Sequence, residues 1–559
     1  MRRSALLLNS CRASDRAMWT SVVVSLVAAI CLMLPIRPHD YWWNMALGRE
    51  IWQTGAVPQT DSFSFTQADD PYFVQPWLAQ LFMFGLYSGG QLLHPDAGNW
   101  CVLIVTTLFL AVAYWLLARL CQGLGGSAFL TAVLMIGFTI PATCPNWNVR
   151  PQSFAIPLFV LFQMVLYRWW MTRDGSWRDA LVRSKLWLLP PLMILWANLH
   201  GSYVMGCVQL FLAFAAAAAE RLLGRQAAWS HAGTLPAEAP ASPQVGTHDI
   251  AATRPVSGSA LAAIVVVGIT LGGCAMLHPA GWKQIQFVLS VTDNAQWREN
   301  SIEWRTPVWH DVSGGFFFGS VGLLIILVAA SRQRLALVEA FWLAGLFYLS
   351  LQGVRYIQWF GLAVTPILVR LLSTAPSSIG RARQTTAEPR SLANAVVMAG
   401  LLIGVVTLLP AWKSRWLPGR FGNVLERDTP LAATSFLESL PELPQRIFHS
   451  SPAGSYLMWR LPPRHVFIDS RLQAFYSLDL VDDYTAIEQG RQVRERLRKY
   501  RIDALLVSKA TQPKLRRVAE QLPEWHKAFE DSDHIVFLKA NSRTHVAADR
   551  PSARSAPDR

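Results

Sequence analysis

Apolar segments long enough to cross a lipid bilayer recur along this chain of 559 residues. A helix crosses the hydrocarbon core with about 20 consecutive, mostly apolar residues. Hydrophobic residues make up 52% of the chain and charged residues only 15%. The sequence therefore predicts a mainly α-helical, polytopic membrane protein with about eleven transmembrane helices. These predicted helices lie at residues 18–36, 99–118, 125–142, 152–170, 186–200, 202–222, 259–277, 313–330, 336–352, 356–372 and 393–411.

Basic residues are concentrated in short loops and in the last third of the chain. The formal net charge of +14 therefore suits cytoplasmic loops and a lipid surface, and nucleic acid is not predicted as a partner. The positive-inside rule places the N-terminus in the cytoplasm and the residues after 411 on the outer side of the membrane. This topology requires the apolar run 74–93 to lie along the outer interface without crossing the membrane.

The N-terminus resembles a signal sequence, with basic residues that precede an apolar run. Because no small-residue cleavage site follows, we expect an uncleaved signal-anchor. All seven cysteines precede Ala275 and none has the spacing of a metal site. An exported C-terminal domain would then fold without a disulfide.

Composition divides the chain into regions. Residues 1–411 form the predicted transmembrane domain, with an external loop at 37–98. The Ala-, Pro-, Ser- and Thr-rich segment 226–258 is typical of a flexible cytoplasmic loop. Residues 412–540 alternate predicted strands and helices and indicate a soluble α/β domain, and residues 541–559 are predicted to be disordered.

Within the C-terminal domain, hydrophobic patterns predict individual elements. Helices are expected at Pro430–Leu440, Asp482–Tyr500 and Gln512–Leu522, and strands at Arg446–His449, His465–Ile468, Ala504–Val507 and Ile535–Leu538. Asp469 follows the second of these strands, where α/β domains place ligand groups. A structural ion pair with Arg471 is the interpretation that we favour there.

Asp40 comes within a few residues of the end of the first membrane helix. A carboxylate at the interface stays ionised more easily than one in the bilayer core, so Asp40 is a candidate general base or acceptor-orienting group. The alternative is an N-cap for a helix at 41–54. Asp61, in the same loop, is a second candidate for the catalytic site, and its alternative is a turn-forming aspartate.

Two arginines lie at the predicted outer ends of membrane helices. Arg150 follows Asn148 and precedes Pro151, and its guanidinium can hold a phosphate through two hydrogen bonds. The alternative is an arginine that only reaches toward lipid headgroups. Arg355, between two membrane helices, is a second candidate for binding lipid phosphate, or for pairing with a loop carboxylate.

Two further polar segments interrupt the apolar pattern. Asn198 and His200 lie between two membrane helices and are candidates for binding phosphate or lipid. A capped helical hairpin is the alternative. Glu303 shares a helical face with Glu299 and is a candidate for a second catalytic carboxylate, with a solvated amphipathic helix as its alternative. The predicted topology brings Asp40, Arg150 and Glu303 to one external cleft, where Glu303 would orient the acceptor or pair with an arginine.

Several of these motifs occur together in one family. They are Asp40-Tyr-Trp-Trp with Gly48, Gly55-Ala-Val-Pro with Asp61-Ser-Phe-Ser, Pro76-Trp77-Leu78, Arg150-Pro-Gln, Trp196-Ala-Asn-Leu-His-Gly, Ile302-Glu-Trp, Gly454-Ser-Tyr-Leu and Phe467-Ile-Asp-Ser-Arg. Over residues 18–540 the chain resembles bacterial membrane proteins related to GT-C fold glycosyltransferases, such as protein O-mannosyltransferases and aminoarabinose transferases. Those enzymes often carry two acids after the first helix, whereas only Asp40 is present here.

The resemblance implies a function on the outer face of the inner membrane. A sugar would pass, with inversion, from a polyprenyl-phosphate donor to an envelope acceptor that the sequence does not identify. Asp40 matches the essential aspartate of the family, Arg150 or Arg355 would bind the phosphate, and membrane lipid would be a further partner. No cofactor is required by this chemistry, and a divalent metal is left open. The alternative is a non-catalytic scaffold or lipid-handling protein that presents its C-terminal domain.

Overall fold

A computed structural model describes residues 13–173, 176–231, 256–287, 302–330, 335–373 and 390–540. The predictions for residues 232–255 and 541–559, and for Glu299, lie outside this part of the chain. The helices of seven or more residues are α1 Asp15–Met33, α2 Pro38–Thr54, α3 Trp77–Leu93, α4 Ala97–Gly123, α5 Ala128–Asn146, α6 Pro151–Met171, α7 Leu186–Leu199, α8 Tyr203–His231, α9 Gly258–Ala275, α10 Val312–Ala330, α11 Leu337–Gln352, α12 Val354–Ser373, α13 Leu392–Thr407, α14 Leu431–Glu438, α15 Ser451–Arg460, α16 Leu478–Glu488, α17 Val493–Lys499 and α18 Pro513–Ala519.

Each of the eleven predicted membrane segments coincides with one of these helices. Among the described residues, eight helices are long and apolar enough to span a membrane, and three shorter apolar helices accompany them. The shorter ones are α7, α11 and α13. The chain is therefore a multi-pass membrane protein.

The chain folds into two compact units. The first contains Gln75–Val424 together with the residues up to Ile36, and the second contains Arg37–Val74 together with the residues from Leu425 onward. Part of the first loop thus belongs with the C-terminal region, a grouping that the division at residue 411 did not anticipate.

The first unit is a helical bundle in which α1 packs between α4 and α13. Two-residue strands, β1 (Ala13–Ser14) and β2 (Arg390–Ser391), pair where α1 and α13 begin. Helix α3 packs on α4, and Gly90 permits the close approach because a Cβ there would lie 2.5 Å from the Ala97 carbonyl oxygen. Whether α3 lies along the membrane interface stays a prediction.

Two helices of this bundle depart from the sequence pattern. Helix α5 contains a π-helical turn at Met135–Thr139. This turn lies just before Pro141, whose ring would clash with the carbonyl four residues earlier in a regular α-helix. Helix α8 continues to His231, past the loop start predicted at residue 226. Its Ala-rich sequence favours helix, which explains the extension.

The second unit contains a four-stranded sheet in the order β3-β4-β6-β5. Its strands are β3 Ile447–His449, β4 Ala504–Ser508, β5 Trp525–Glu530 and β6 His534–Lys539. β3 is parallel to β4, and the other two pairs are antiparallel. Every residue of β4 is buried, so this strand lies at the centre of the core.

Three predictions for this unit were wrong in detail. His465–Ile468 forms only isolated bridges, because the Phe467 N–H donates to the His449 side chain at 3.0 Å. The single helix predicted at Asp482–Tyr500 is broken where Gly490 and Gln492 adopt positive φ angles. β5 was missed because its exposed, charged residues and its irregular pairing at Lys527/Phe529 hide the strand pattern.

Residues of the first loop complete the second unit. Ser64 bridges to Val466, and the Thr66 hydroxyl donates to the Phe467 carbonyl at 2.6 Å. Helix α2 packs on α15, with the Trp42 ring 4.9 Å from that of Tyr456. Segments some 400 residues apart along the chain thus share one core.

Candidate active site

Arg150 immediately precedes α6 and lies at its N-cap. Its backbone is extended, with φ −152° and ψ 162°, and Pro151 takes the first helical position, which suits proline. The residue is only 6% exposed. Its Nη1 donates to Oε1 of Glu303 at 2.6 Å. The side chain of Glu303 is 40% exposed, so this ion pair has one buried partner and one that reaches water.

Arg355 lies at the start of α12 and is held by the same loop. Its guanidinium stacks over the Trp304 ring at 4.5 Å, a favourable cation–π arrangement. The Val354 N–H donates to the Arg305 carbonyl at 3.0 Å. A Cβ at Gly353 would lie 3.2 Å from the Glu303 carbonyl oxygen, so glycine allows the two segments to meet.

The charges of this cluster set its protonation. Arg150 is the largest influence and lowers the pKa of Glu303 to about 2 against the effect of burial, and Arg355 adds to the shift. Burial, followed by Arg355 and Arg150, lowers the pKa of His200 to about 3. The Ser202 N–H donates to Nδ1 of His200 at 3.0 Å. At neutral pH the cluster therefore holds two guanidinium cations, one carboxylate and a neutral imidazole.

Asn198 does not present its amide to this cluster. Its Nδ2 donates to the carbonyls of Ile194 and Leu277 at 2.8 and 3.1 Å, and its Oδ1 accepts from Nε1 of Trp77 at 2.7 Å. These contacts agree with the structural interpretation, a capped helix end. They also join α7 to the first residue of α3.

Two residues that the sequence argument did not select complete this network. The Gln75 amide donates to the Ala197 carbonyl at 3.1 Å, and Nε2 of His278 donates to the Gln75 carbonyl at 3.0 Å. The Ala280 N–H donates to Nδ1 of His278. The sequence did contain a signal for this residue, because His278 follows α9 much as His200 follows α7. The partner of His278, the Gln75 carbonyl, lies 203 residues away along the chain.

Asp61 lies in the second unit, inside a closed ion cluster. Its Oδ1 accepts from Nη2 of Arg471 at 2.7 Å, and its Oδ2 accepts from the Ser64 N–H and hydroxyl at 2.8 and 2.6 Å. The side chains of Asp61 and Arg471 are fully buried. This position offers no oxygen to a substrate, so the structure argues against Asp61 as a catalytic group.

The remaining partners of Arg471 confirm the favoured interpretation of Asp469. Nε and Nη2 of Arg471 donate to the two oxygens of Asp469 at 2.8 and 2.7 Å, and the Tyr476 hydroxyl donates to the same carboxylate at 2.5 Å. Arg471 also stacks over Tyr72 at 4.7 Å. Nε and Nη2 of Arg471 and both carboxylates are thus used within the protein.

Asp40 lies in the first turn of α2 and is half-buried. The N-cap of this helix is Arg37, since Pro38 starts the helix three residues before the predicted 41. The N-cap interpretation of Asp40 was therefore wrong, although a carboxylate in the first turn still interacts favourably with the helix dipole. Its backbone carbonyl accepts from the Asn44 amide at 2.5 Å.

Comparison with solved structures decides the fold. The chain superposes on arabinofuranosyltransferase AftD from Mycobacteria with a TM-score of 0.52 and 13% identity, over 95% of this chain and 41% of that one. It superposes on the apo oligosaccharyltransferase of Archaeoglobus fulgidus with a TM-score of 0.50 and 11% identity, over 94% of this chain and 75% of that one. The fold is GT-C-like.

Further comparisons add less. ArnT from Cupriavidus metallidurans, solved with undecaprenyl phosphate, gives a TM-score of 0.45 at 14% identity, over 92% of this chain and 97% of that one. No protein family and no curated protein matches at the level of sequence. The chain spans less than half the length of AftD.

Within this GT-C-like fold, the cluster of Arg150, His200, Glu303 and Arg355 is the best candidate for anion binding. Among the described residues it combines two arginines with one carboxylate that water can reach, and guanidinium groups suit a ligand such as a phosphate. Among the described residues, no three His, Cys, Asp or Glu side chains come together as a metal site. Asp40 belongs to the other unit, and its convergence with Arg150 and Glu303 stays a prediction.

Proposed function

We propose that this chain transfers a sugar from a polyprenyl-phosphate donor to a hydroxyl of an envelope acceptor. The observation that carries the proposal is the cluster of Arg150, Arg355 and Glu303 at the helix ends of a GT-C-like bundle, in which Arg150 contacts Glu303 and both arginines lower the pKa of that carboxyl. The solved relative ArnT was crystallised with undecaprenyl phosphate, and we infer the same class of lipid here.

The proposed reaction follows from the charges. The bond between the sugar's anomeric carbon and the phosphate oxygen breaks, and negative charge grows on the departing phosphate. Guanidinium groups aimed at that charge stabilise the transition state. Arg150 and Arg355 supply these donors, and Glu303, which pairs with Arg150, competes with the phosphate for that guanidinium.

Asp40 is proposed as the general base. It would remove the proton of the acceptor hydroxyl as that oxygen attacks the anomeric carbon from the face opposite to the phosphate, which inverts the configuration. Help of this kind contributes about 10²- to 10⁴-fold. The proposal keeps the topology argued from the basic loops, with the N-terminus cytoplasmic and the second unit periplasmic. Alkaline phosphatase fused after Phe421 should then be active, and an inactive fusion would contradict that topology.

The activity is tested with the purified full chain in detergent and a set of labelled polyprenyl-phosphate sugars, with and without EDTA. Asp40→Asn should lower the rate about 10²- to 10⁴-fold, while Asp70→Asn, an exposed acid of the same loop, should not. Arg150→Gln should weaken donor binding about 10- to 100-fold, as expected for lost hydrogen bonds to a charged group. Arg168→Gln, an exposed arginine in the last turn of α6, is the matched control.

Two results would contradict the proposal. An unchanged rate in Asp40→Asn would remove the general base. Donor binding without any turnover by the unmodified chain would favour the non-catalytic, lipid-handling alternative. Loss of turnover in EDTA would add a divalent metal to the mechanism.

A further inference from the structure

Two buried amides of the first unit carry hydrogen-bonding atoms that the protein itself does not use. Gln358 on α12 is fully buried, and neither its amide nitrogen nor its amide oxygen has a partner in the part of the chain that the structure describes. Asn146, the last residue of α5, is 7% exposed, and within the same residues its amide nitrogen also has no partner. Burying an amide without a hydrogen bond is costly, so these groups call for an explanation.

The register of α5 against α12 follows from two contacts. Oγ1 of Thr139 lies 2.6 Å from Oγ1 of Thr365. One turn farther along, a Cβ at Gly361 would lie 3.0 Å from Cγ2 of Thr143. Residue numbers rise along α5 as they fall along α12, so the two helices are antiparallel.

The next turn in the same direction carries the two amides. On α5 it reaches Asn146, since the 3₁₀ turn Cys144–Asn146 places residue 146 directly above residue 143. On α12 it reaches Gln358. Arg150 follows Asn146 by four residues, and Arg355 precedes Gln358 by three. The packing therefore brings both amides together, close to the arginines that are proposed to bind the donor phosphate.

The unused atoms fit a hydroxyl group better than they fit a phosphate. Gln358 offers donors and an acceptor, and Asn146 adds a further donor. The phosphate of the proposed donor has only acceptor oxygens, so it would leave the oxygen of Gln358 unpaired. A hydroxyl both donates and accepts. In a polyprenyl-phosphate sugar the hydroxyls belong to the ring that is bonded directly to the phosphate, so they lie close to the arginines.

We propose that Gln358 and Asn146 bind a hydroxyl of the sugar that the donor carries, and that they help to select this sugar. The inference rests on the proposed function, because it takes a polyprenyl-phosphate sugar as the ligand. Both amides are closed to solvent in the structure, so the sugar must displace a side chain that covers them. Groups kept for binding in this way lower the stability of a protein without its ligand.

Gln358→Met tests the site, since methionine keeps the length of the side chain and removes both polar atoms. The Tm of the purified full chain in detergent should rise, because the unpaired amide is gone. The probes for binding are undecaprenyl phosphate alone and undecaprenyl phosphate that carries glucose, mannose or arabinose. Binding of the preferred glycosylated lipid should weaken about tenfold, as expected for two lost hydrogen bonds. Binding of undecaprenyl phosphate alone should not change.

Gln512→Met is the matched control, because both amide atoms of this buried glutamine are used. Its oxygen accepts from the Ser508 N–H at 3.1 Å, and its nitrogen donates to Oε1 of Glu488 at 3.0 Å. This variant should lower the Tm and leave the binding of every lipid unchanged. Asn146→Ala, a second variant of the site, should weaken binding of the glycosylated lipid about threefold.

A lower Tm in Gln358→Met would show that the amide has a structural partner, such as a buried water, and would overturn the proposal. Equal binding of glycosylated and bare lipid by the unmodified chain would also overturn it, as would an unchanged sugar preference in Gln358→Met. None of these results would contradict the transfer reaction itself. Absence of turnover with every donor, combined with a sugar preference that Gln358→Met removes, would refute the reaction and support the sugar site.

Discussion

Two arginine–carboxylate clusters of this protein use the same chemical groups for different purposes. In the closed cluster, Arg471 is surrounded by Asp61 and Asp469, and all three side chains are fully buried. In the open cluster, Arg150 and Arg355 share Glu303, whose side chain is 40% exposed. Counting only residues that the structure describes, the closed cluster has two acids for one arginine, and the open one has two arginines for one acid.

The comparison shows that an arginine next to a carboxylate does not by itself indicate function. What matters is how many donors the protein has already used and whether water reaches the rest. The charges of the closed cluster hold together two segments that lie 410 residues apart along the chain. The open cluster joins arginines to a carboxylate that water reaches, and a phosphate is the ligand that we propose for it.

The largest effect should come from removing the centre of the closed cluster. Arg471→Met leaves two buried carboxylates without their counter-ion, and breaking a buried pair in this way costs about 3–5 kcal/mol. Hydrogen exchange of the peptide that contains Phe467, measured by mass spectrometry on the full chain, should show the corresponding loss of protection.

The control for Arg471→Met uses an exposed pair between the same two segments. Arg464 donates to Asp69 at 2.8 Å, and the side chains are 58% and 69% exposed. Asp69→Asn keeps a residue that tolerates the positive φ of this position and should cost less than about 1 kcal/mol. If both variants lost the same protection, the distinction between closed and exposed pairs would be wrong.

Lowering the pH should have the next largest effect, because His449 lies beside the closed cluster without access to water. Nδ1 of His449 donates to the Ser450 carbonyl at 2.9 Å, and Nε2 accepts from the Phe467 N–H. Burial lowers the pKa of His449 to about 4, which its backbone partner and Asp469 only partly oppose. The folded region therefore excludes a proton that the unfolded chain binds below its ordinary pKa of 6.5.

The sign of the pH effect follows. The contribution of His449 to the free energy of unfolding is fully present above pH 6.5. It falls as the pH drops toward 4, by about 2 kcal/mol at pH 5. Glu303 also stabilises the folded state less in acid, but at lower pH. Because its pKa is lowered, its contribution is kept until the pH falls from 4.5 toward 2. Hydrogen exchange at Phe467 between pH 7 and 5, corrected for intrinsic rates, measures the effect. His449→Gln should be less stable at pH 7 but should show a shallower slope, and an unchanged slope would exclude His449 as the cause.

The helical part of the fold could be read from the sequence, because twenty apolar residues have few alternatives to a membrane helix. Arg150 and Glu303 were also both selected, since charged residues at helix ends are conspicuous. The predicted topology placed both residues on the same side of the membrane, but it did not show that they form an ion pair. That contact, between residues 153 apart along the chain, depends on how the helices pack.

The errors have a common cause in partners remote along the chain. Asp61 looked like a loop carboxylate because nothing near it in sequence shows that Arg471 neutralises it. Asn198 looked available because its partners Trp77 and Leu277 lie on other elements. β5 was missed since an edge strand with exposed charges lacks the alternation that marks a half-buried strand. Local patterns identify elements better than they identify which polar groups are already satisfied.

The smallest effect on stability should come from the open cluster, where Glu303→Gln keeps the shape of the side chain and removes its charge. Arg150 is buried, but Glu303 reaches water and Gln keeps an oxygen that accepts from Arg150, so the free energy of unfolding should change by only about 1 kcal/mol. Binding of undecaprenyl phosphate, measured in detergent, should instead become about fivefold tighter, since Arg150 loses a carboxylate that competes with the phosphate. Glu438→Gln, which removes the charge from a partly exposed pair with Arg460, should change neither quantity beyond the error. If Glu303→Gln unfolded the chain as Arg471→Met is expected to, or weakened lipid binding, then the open cluster would be a structural ion pair like the closed one, and the anion site would have to be sought elsewhere.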